Sequence, residues 1–85
     1  KIFLDSEIKY CLKHSNHAIH FSGKFAMKES VKKSISKNVN FLDIETYHLN
    51  SKPKIKLKHA LNYNFLVSVS HEKEFAIATV VSEIF

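Results

Sequence analysis

The sequence predicts an α+β domain in which two helices pack on a small antiparallel sheet. In the first 36 residues, apolar side chains recur at intervals of three and four positions, which is typical of amphipathic helices. From Phe41 onward the interval shortens to two and branched residues become frequent, which favours strands. The chain has 85 residues, enough for one domain covering positions 1–85.

A first helix is predicted to begin near Asp5 or Ser6, either of which can cap its unpaired backbone N–H groups. It runs to about residue 15, and its apolar stripe consists of Ile8, Cys11 and Leu12. Because Cys11 is the single cysteine, the chain can form no internal disulfide and no cysteine-based zinc site. We interpret its thiol as a buried structural group.

A second helix is predicted from about residue 17 to residue 36, with Asn16 as its cap. Lys37 and Asn38 fit the helix end, because lysine suits the negative end of the helix dipole and asparagine tolerates a left-handed cap. The predicted apolar face comprises Ala18, Phe21, Phe25, Ala26 and Ile35.

The second half of the chain predicts strands. A first strand includes Phe41, Ile44 and Tyr47, and residues 50–53 form a turn around Pro53. The next strand is half-exposed, because Ile55 and Leu57 alternate with lysines. Residues 62–64 break the chain again. The apolar runs 65–70 and 75–81 should then pair as an antiparallel hairpin across residues 71–74.

Charge indicates the kind of partner. The net charge is +5, and all 13 basic residues are lysines. Such an excess favours an anionic partner, namely a nucleotide, a nucleic acid or an acidic protein. The lysines are spread along the chain, which disfavours a nucleic-acid-binding arm. No apolar run is long enough to cross a bilayer, so no membrane partner is expected. The chain begins with Lys1, and we interpret it as lacking its natural start.

The second helix carries a cluster of charge. Residues four apart lie one above the other on a helix, so Glu29 and Lys33 share a row, beside a row of three lysines. The lysines are Lys24, Lys28 and Lys32. One interpretation is a solvated face with an ordinary ion pair of ~0.3–0.5 kcal/mol. The other is a site where Glu29 holds Mg²⁺ and the lysines receive phosphate oxygens.

Histidines and carboxylates offer further candidates. His71 follows Ser70 at a strand end, where it could face water as a turn residue or bind a phosphate. His14, His17 and His20 recur every third residue, and we interpret them as surface histidines and not as a metal site. Asp43 and Glu45 share one face of a strand, as a second carboxylate pair or as part of a polar sheet face.

Four motifs in series resemble those of holo-acyl-carrier-protein synthases. Residues 23–30 read G-K-F-A-M-K-E-S and are followed by Lys33, similar to the family's G-R-F-A-x-K-E-A…K helix. Residues 41–45, F-L-D-I-E, resemble its F-x-D-I-E strand, and S-K-P at 51–53 stands where the family has G-K-P. Residues 67–72, V-S-V-S-H-E, and 75–78, F-A-I-A, resemble V-S-I-S-H-E and Y-A-x-A. The chain is identified as a member of this family, with a 4′-phosphopantetheinyl transferase-like fold.

The resemblance implies a reaction and its partners. Such enzymes transfer 4′-phosphopantetheine from coenzyme A to a serine of apo acyl carrier protein, with Mg²⁺ as cofactor, and release 3′,5′-ADP. They commonly form homotrimers with coenzyme A at the subunit interfaces. The family resemblance implies a bacterial cytoplasm or a plastid-like organelle such as an apicoplast. The lysine-rich composition is typical of an AT-rich genome, which fits either compartment.

The resemblance also implies roles for individual residues. Glu29 would be a metal ligand and catalytic residue, and Lys28 and Lys33 would stabilise phosphates or assist proton removal from the serine. Lys24 stands where the family has an arginine near the 3′-phosphate of coenzyme A, and lysine lacks the bidentate fork of arginine. The remaining coenzyme A contacts implied are Lys52, Pro53, Ser70 and His71.

The chain departs from the family pattern in two places. The family's first strand, whose Asp is the other protein ligand of Mg²⁺, is missing, and the connection after Lys33 is short. Two alternatives to the transferase therefore stay open. The first is a small basic module that binds nucleic acid, which the lysine count favours. The three tyrosines and seven phenylalanines stand mostly at core-like positions and offer no obvious platform for stacking bases. The second is a trimeric scaffold that binds coenzyme A and transfers nothing.

Overall fold

The computed structural model describes residues 1–35, 38–59, 62–72 and 75–84. The described elements, in chain order, are helix α1 (Asp5–Leu12), helix α2 (His17–Ser34), a 3₁₀ turn (Phe41–Asp43), and strands β1 (Ile44–Leu49), β2 (Lys52–Leu57), β3 (Tyr63–Glu72) and β4 (Phe75–Ile84). The predicted α+β class is confirmed. The hairpin turn predicted at residues 71–74 is wrong for His71 and Glu72, which belong to β3. Its residues 73 and 74, and Lys37 of the predicted helix exit, lie outside the described residues.

The strands form two antiparallel ladders. β1 pairs with β2, so that Ile44 lies opposite Leu57, and β3 pairs with β4, so that Val69 lies opposite Ala78. The turn predicted at residues 50–53 is confirmed for Asn50 and Ser51 and is wrong for Lys52 and Pro53, which belong to β2. Asn50 and Ser51 have φ angles of 53° and 65°. Two successive residues in the left-handed region match the twist of a tight hairpin, and asparagine tolerates that region better than most residues.

The two helices begin differently. Asn16 caps α2 as predicted, because its side-chain oxygen accepts a hydrogen bond from the Ile19 N–H at 3.2 Å. The predicted cap of α1 at Asp5 or Ser6 is wrong. The cap is the backbone of Leu4, whose N–H donates to Glu7 Oε1 at 2.8 Å. This bond is the carboxylate half of a capping box, which needs no hydroxyl at the cap position.

The core lies between α2 and the two strand pairs. Its buried side chains are Met27, Val31, Ile35, Ile44, Ile55, Leu57 and Phe65. Polar bonds fix the helix against the last strand, since Ser30 Oγ donates to the Ala78 carbonyl at 3.0 Å and Ser82 Oγ donates to the Ser34 carbonyl at 3.1 Å. Helix α2 is thus held along much of its length against the β3–β4 hairpin.

The buried helix faces differ from those predicted. Helix α2 turns Lys24, Met27, Lys28 and Val31 inward, instead of the phenylalanine side. A periodicity argument counts lysines as polar and places them outside, whereas here partners from other elements bind their ammonium groups. The displaced phenylalanines pack half-buried on other rings, Phe21 on Phe3 and Phe25 on Phe41, with centroids 5.0 and 5.7 Å apart.

Other boundaries also shift. Helix α1 ends at Leu12, before residue 15, and Leu12 is 54% exposed instead of buried, whereas Cys11 is fully buried as predicted. The first strand begins at Ile44, because Asn40 and Asp43 bond each other's backbone and form the 3₁₀ turn. The break predicted at residues 62–64 is wrong for its last two members, which belong to β3. Within the described ranges, neither helix has the length and apolar character needed to span a membrane.

Candidate functional site

A buried ion pair joins the two helices. Lys28 Nζ lies 2.7 Å from Glu7 Oε1, and both side chains are completely shielded from solvent. Lys28 also donates to the carbonyls of Ile2 at 2.8 Å and Phe41 at 3.0 Å, so its three protons all have acceptors. Lys28 therefore fixes α2 to α1, to the start of the chain and to the 3₁₀ turn.

The Glu7 carboxylate is equally well satisfied. Its second oxygen accepts hydrogen bonds from the Thr46 N–H at 2.8 Å and the Thr46 hydroxyl at 2.5 Å. Burial raises the pKa of Glu7, but the bonds from Lys28, Thr46 and Leu4 outweigh it and leave the pKa below its ordinary value. The carboxylate is therefore charged at neutral pH and links α1, α2 and β1.

Lys24 is the second buried lysine of α2. Its ammonium group donates to the Thr46 carbonyl at 3.2 Å and the Thr46 hydroxyl at 3.1 Å, and lies 4.6 Å from the centre of the Tyr10 ring. Burial lowers the pKa of Lys24, and the nearby charge of Lys28 adds to this, while Glu7 acts in the opposite direction. The positive charge of Lys24 is thus held at one defined place beside β1.

A cavity of about 170 Å³ opens beside Lys24. Three residues that the sequence assigned to coenzyme A meet there, namely Lys24, Pro53 and His71. The other lining residues are Tyr10, His20, Gly23, Met27, His48 and Val69. The cavity combines a buried cation, imidazoles and an aromatic ring, a combination suited to an anionic ligand with an aromatic part.

The single glycine of the chain sits where His71 crosses α2. A Cβ atom at position 23 would lie 3.1 Å from His71 Cε1 and 3.6 Å from its Nε2. The contact to Cε1 is tighter than most Cβ atoms make, so Gly23 lets the imidazole ring lie directly against the helix. The start of the family-like helix motif and the end of the V-S-V-S-H-E motif are therefore in contact.

The remaining predicted site residues lie elsewhere. Glu29 and Lys33 are both exposed on α2, and across the described residues they form no ion pair within 4 Å. Ser70 is exposed on the face of β3 opposite to Val69 and His71, since neighbouring residues of a strand point to opposite sides. Lys52 is exposed at the start of β2 and does not line the cavity that Pro53 lines.

The described residues suit a metal ion that takes most of its ligands from other molecules. In the part of the chain that the structure describes, no three histidine, cysteine or acidic side chains converge as a metal site. A single exposed carboxylate such as Glu29 suits a cation that takes its other ligands from substrate phosphates and water, as Mg²⁺ commonly does. Glu45, on β1, is half-buried and belongs to the wall of a neighbouring groove with Lys24.

Several residues of this site carried no signal in the sequence. Glu7, Thr46, Tyr10 and His48 come from α1 and β1, and their partners are distant in the chain. Glu7 accepts from the Leu4 N–H as the glutamate of a capping box does, but Leu4 has no polar side chain that would mark a capping box in the sequence.

No family model matches the chain. Curated proteins do match it. It is 34% identical to the holo-[acyl-carrier-protein] synthase of Thermodesulfovibrio yellowstonii over 84 residues, which cover 95% of this chain and 74% of that protein. The enzymes of the same name from Chlamydia pneumoniae and Protochlamydia amoebophila are 31% and 33% identical, over 96% and 95% of this chain and 75% of each relative. The chain belongs to the holo-[acyl-carrier-protein] synthase family.

Membership of the holo-[acyl-carrier-protein] synthase family confirms the resemblance drawn from the four motifs and makes the chain a member of an enzyme family. The chain spans about three-quarters of the length of these synthases. The synthase-like motifs that supply Lys24, Pro53 and His71 are far apart in the sequence, and their side chains line one cavity.

Proposed function

We propose that the chain transfers 4′-phosphopantetheine from coenzyme A to a serine of apo acyl carrier protein. The observation that carries this proposal is the cavity at Lys24, Pro53 and His71, which combines fixed positive charge with room for part of a nucleotide. The names of the relatives support the same reaction class. We assign the 3′-phosphate of coenzyme A to the Lys24 and His71 side of this cavity.

The transfer exchanges one phosphorus–oxygen bond for another. The carrier serine hydroxyl attacks the β-phosphorus of coenzyme A, the bond from that phosphorus to the ADP oxygen breaks, and 3′,5′-ADP leaves. The serine proton passes to water. Mg²⁺, held by Glu29 and pyrophosphate oxygens, would neutralise the charge that grows on the leaving group. Lys33, exposed one turn along the same helix, would stabilise the phosphate oxygens.

Lys28 receives a different role from the one that the resemblance implied. Its ammonium group is already bonded to Glu7 and two carbonyls, and it is buried. Releasing it toward a phosphate would leave the Glu7 carboxylate buried and unpaired, which is costly. We assign Lys28 to positioning, because it fixes the turn of α2 that carries Glu29.

The β3–β4 hairpin supports self-association, and the family resemblance makes a homotrimer our proposal. Its outer surface, here called the hairpin face, carries Leu66, Phe75, Ile77 and Val81. These four side chains are between 52% and 60% exposed. Large apolar side chains exposed together on one face are typical of protein interfaces.

The relatives support a bacterial setting, and we propose the bacterial cytoplasm as the compartment. The three synthases described above come from bacteria. They give no support to the apicoplast alternative.

Intact-mass spectrometry of an apo acyl carrier protein tests the transferase. The carrier is incubated with the chain, coenzyme A and Mg²⁺. We expect the carrier to gain the mass of one phosphopantetheine group, and Glu29→Gln to abolish the gain. Asp5→Asn, which changes another exposed carboxylate, should leave it unchanged. A chain that binds coenzyme A and leaves the carrier unmodified would be a scaffold, and the transferase proposal would be wrong.

A further inference from the structure

Imidazole rings from separate elements gather at one cavity. His20 comes from α2, His48 from β1 and His71 from β3, and all three line the 170 Å³ cavity. The His48 ring stacks on Tyr10 with a centroid separation of 4.5 Å and an angle of 9° between planes. His14, which precedes α2, stacks on His20 at 4.0 Å. We call Tyr10, His20, Lys24, His48 and His71 the imidazole pocket.

Lys24 is the cation of the pocket, and the His20 and His48 rings resist taking up a further positive charge beside it. Burial lowers the pKa of His20, and His14, His71 and Lys24 lower it further. Burial likewise lowers the pKa of His48, with the same sign of contribution from Lys24, His20 and His14. Two carboxylates act on Lys24 from α1 and β1, Glu7 and Glu45, and Glu7 is already paired with Lys28. Without a ligand, a proton added to one of these rings is repelled by the positive charge of its neighbours.

The His14 ring stacks on His20 and does not line the cavity. Its Nε2 atom is buried and has no hydrogen-bond partner among the described residues. A buried nitrogen without a hydrogen-bond partner destabilises the folded chain, and a hydrogen bond to that nitrogen removes the penalty. Since no three ligands converge as a metal site within the described ranges, a metal ion does not explain the gathering.

We propose that the imidazole pocket binds a phosphate monoester, with His20 and His48 as ligands in addition to Lys24 and His71, and that binding takes up protons. A neutral imidazole offers one N–H donor, whereas the protonated ring offers two. A dianion placed among the rings would therefore favour their protonated form. Resting on the proposed function, the monoester is the 3′-phosphate of coenzyme A.

The cavity volume limits what else enters. Pockets that enclose a whole drug-sized ligand measure about 300–1,000 Å³. At about 170 Å³, the imidazole pocket accommodates one end of a nucleotide and leaves the rest outside. The adjacent groove between α1 and β1, of about 830 Å³, shares Tyr10, Lys24 and His48 with it.

Titration calorimetry with paired ligands tests the proposal. Coenzyme A, dephospho-coenzyme A, which lacks the 3′-phosphate, and inorganic phosphate are titrated in buffers of different ionisation enthalpy, which yields the number of protons taken up. The range from about pH 8 to about pH 6.5 keeps the monoester above its own second pKa of about 6. We expect coenzyme A, but not dephospho-coenzyme A, to take up protons. Its affinity advantage should grow by about threefold or more across the range, since one linked proton changes affinity by up to about tenfold per pH unit.

Variants of His20 and His48 test these two proposed ligands separately from His71. His20→Gln and His48→Gln should each reduce the proton uptake and the preference for coenzyme A, while keeping the circular dichroism spectrum of the parent chain. His59→Gln, at an exposed residue after β2, is the matched control and should change neither.

The outcomes distinguish the two proposals. If coenzyme A binds with no more proton uptake than dephospho-coenzyme A, or if the variants bind like the parent chain, the pocket proposal is wrong while the transferase proposal stands. If neither nucleotide binds, the transferase proposal fails, and inorganic phosphate decides the pocket. Phosphate binding with proton uptake that His20→Gln removes would support the pocket, and its absence would overturn it.

Discussion

The ammonium group of Lys28 lies 2.7 Å from the carboxylate of Glu7, and both side chains are shut off from water. The same carboxylate bonds Thr46 on β1. One ion pair therefore fixes the relative positions of both helices and the first strand. The family-like helix motif is held from its inner side, which leaves Glu29 and Lys33 free on its outer side.

Replacing Lys28 should destabilise the fold strongly. In Lys28→Met the Glu7 carboxylate stays buried without its cation, and the free energy of unfolding should fall by about 3–5 kcal/mol. Urea denaturation measures the change. The double variant Glu7→Met/Lys28→Met should recover part of the loss, because no unpaired charge is left.

The control for this prediction is Lys33→Met, which makes the same chemical change at an exposed position of α2. It should alter the free energy of unfolding by no more than about 0.5 kcal/mol. Equal effects of the two variants would show that the ion pair does not hold the helices.

The histidine cluster should make stability depend on pH near neutrality. The pKa values of His20 and His48 are lowered in the folded chain, so the unfolded chain binds more protons below its ordinary histidine pKa of about 6.5. Stability is then complete above about pH 6.5 and is lost as the pH falls toward the lowered folded values. Urea midpoints measured between about pH 8 and about pH 5.5 should decrease on acidification.

A comparison of variants tests whether His20 and His48 cause this pH dependence of stability. His20→Gln combined with His48→Gln should flatten the decrease in urea midpoint, and His59→Gln should leave its slope as in the parent chain. A parent chain whose midpoint is constant or rises on acidification in this range would contradict the lowered pKa values.

Gly23 should separate stability from nucleotide binding. In Gly23→Ala the new methyl group meets His71 at 3.1 Å, and the exposed imidazole must move aside. The substitution removes the flexibility of glycine in a helix, which is worth up to about 1 kcal/mol. We expect an unchanged or raised melting temperature together with about tenfold weaker coenzyme A binding, equivalent to about 1.4 kcal/mol.

Ser22→Ala, at the neighbouring position of the helix, is the control and should keep the affinity of the parent chain. If Gly23→Ala binds coenzyme A as tightly as the parent chain does, the contact between His71 and α2 has no part in binding.

The hairpin face should control self-association. Val81→Lys places a charge at one end of that face, opposite Leu66, and should convert the proposed trimer to monomers in sedimentation velocity. Leu49→Lys makes the same kind of change at an exposed apolar residue of β1 and should leave the trimer intact. A parent chain that sediments as a monomer would exclude the proposed assembly.

Local features of the fold were predictable from the sequence. Three of them depend on neighbouring residues only. They are the Asn16 cap, the turn at Asn50 and Ser51, and the alternation of Ile55 and Leu57 with lysines. The buried face of α2 was not predictable in this way, since Lys24 is buried only because Thr46, on another element, accepts its hydrogen bonds.

The same distinction between local and distant contacts holds for the candidate site. The motifs pointed to Lys24, Pro53 and His71, which do line one cavity. The sequence interpretation of His20 as a surface residue missed its cluster, because its partners in that cluster, His48 and His71, lie on strands far along the chain. Contacts between distant segments depend on topology, which spacing in one sequence does not encode.

A crystal structure of the chain soaked with coenzyme A tests the central claim most directly. We predict that the 3′-phosphate lies within hydrogen-bond distance of Lys24 and His71, with the pyrophosphate directed toward Glu29. Coenzyme A bound on another surface, with the cavity beside Lys24 empty and Glu29 facing bulk water, would contradict it.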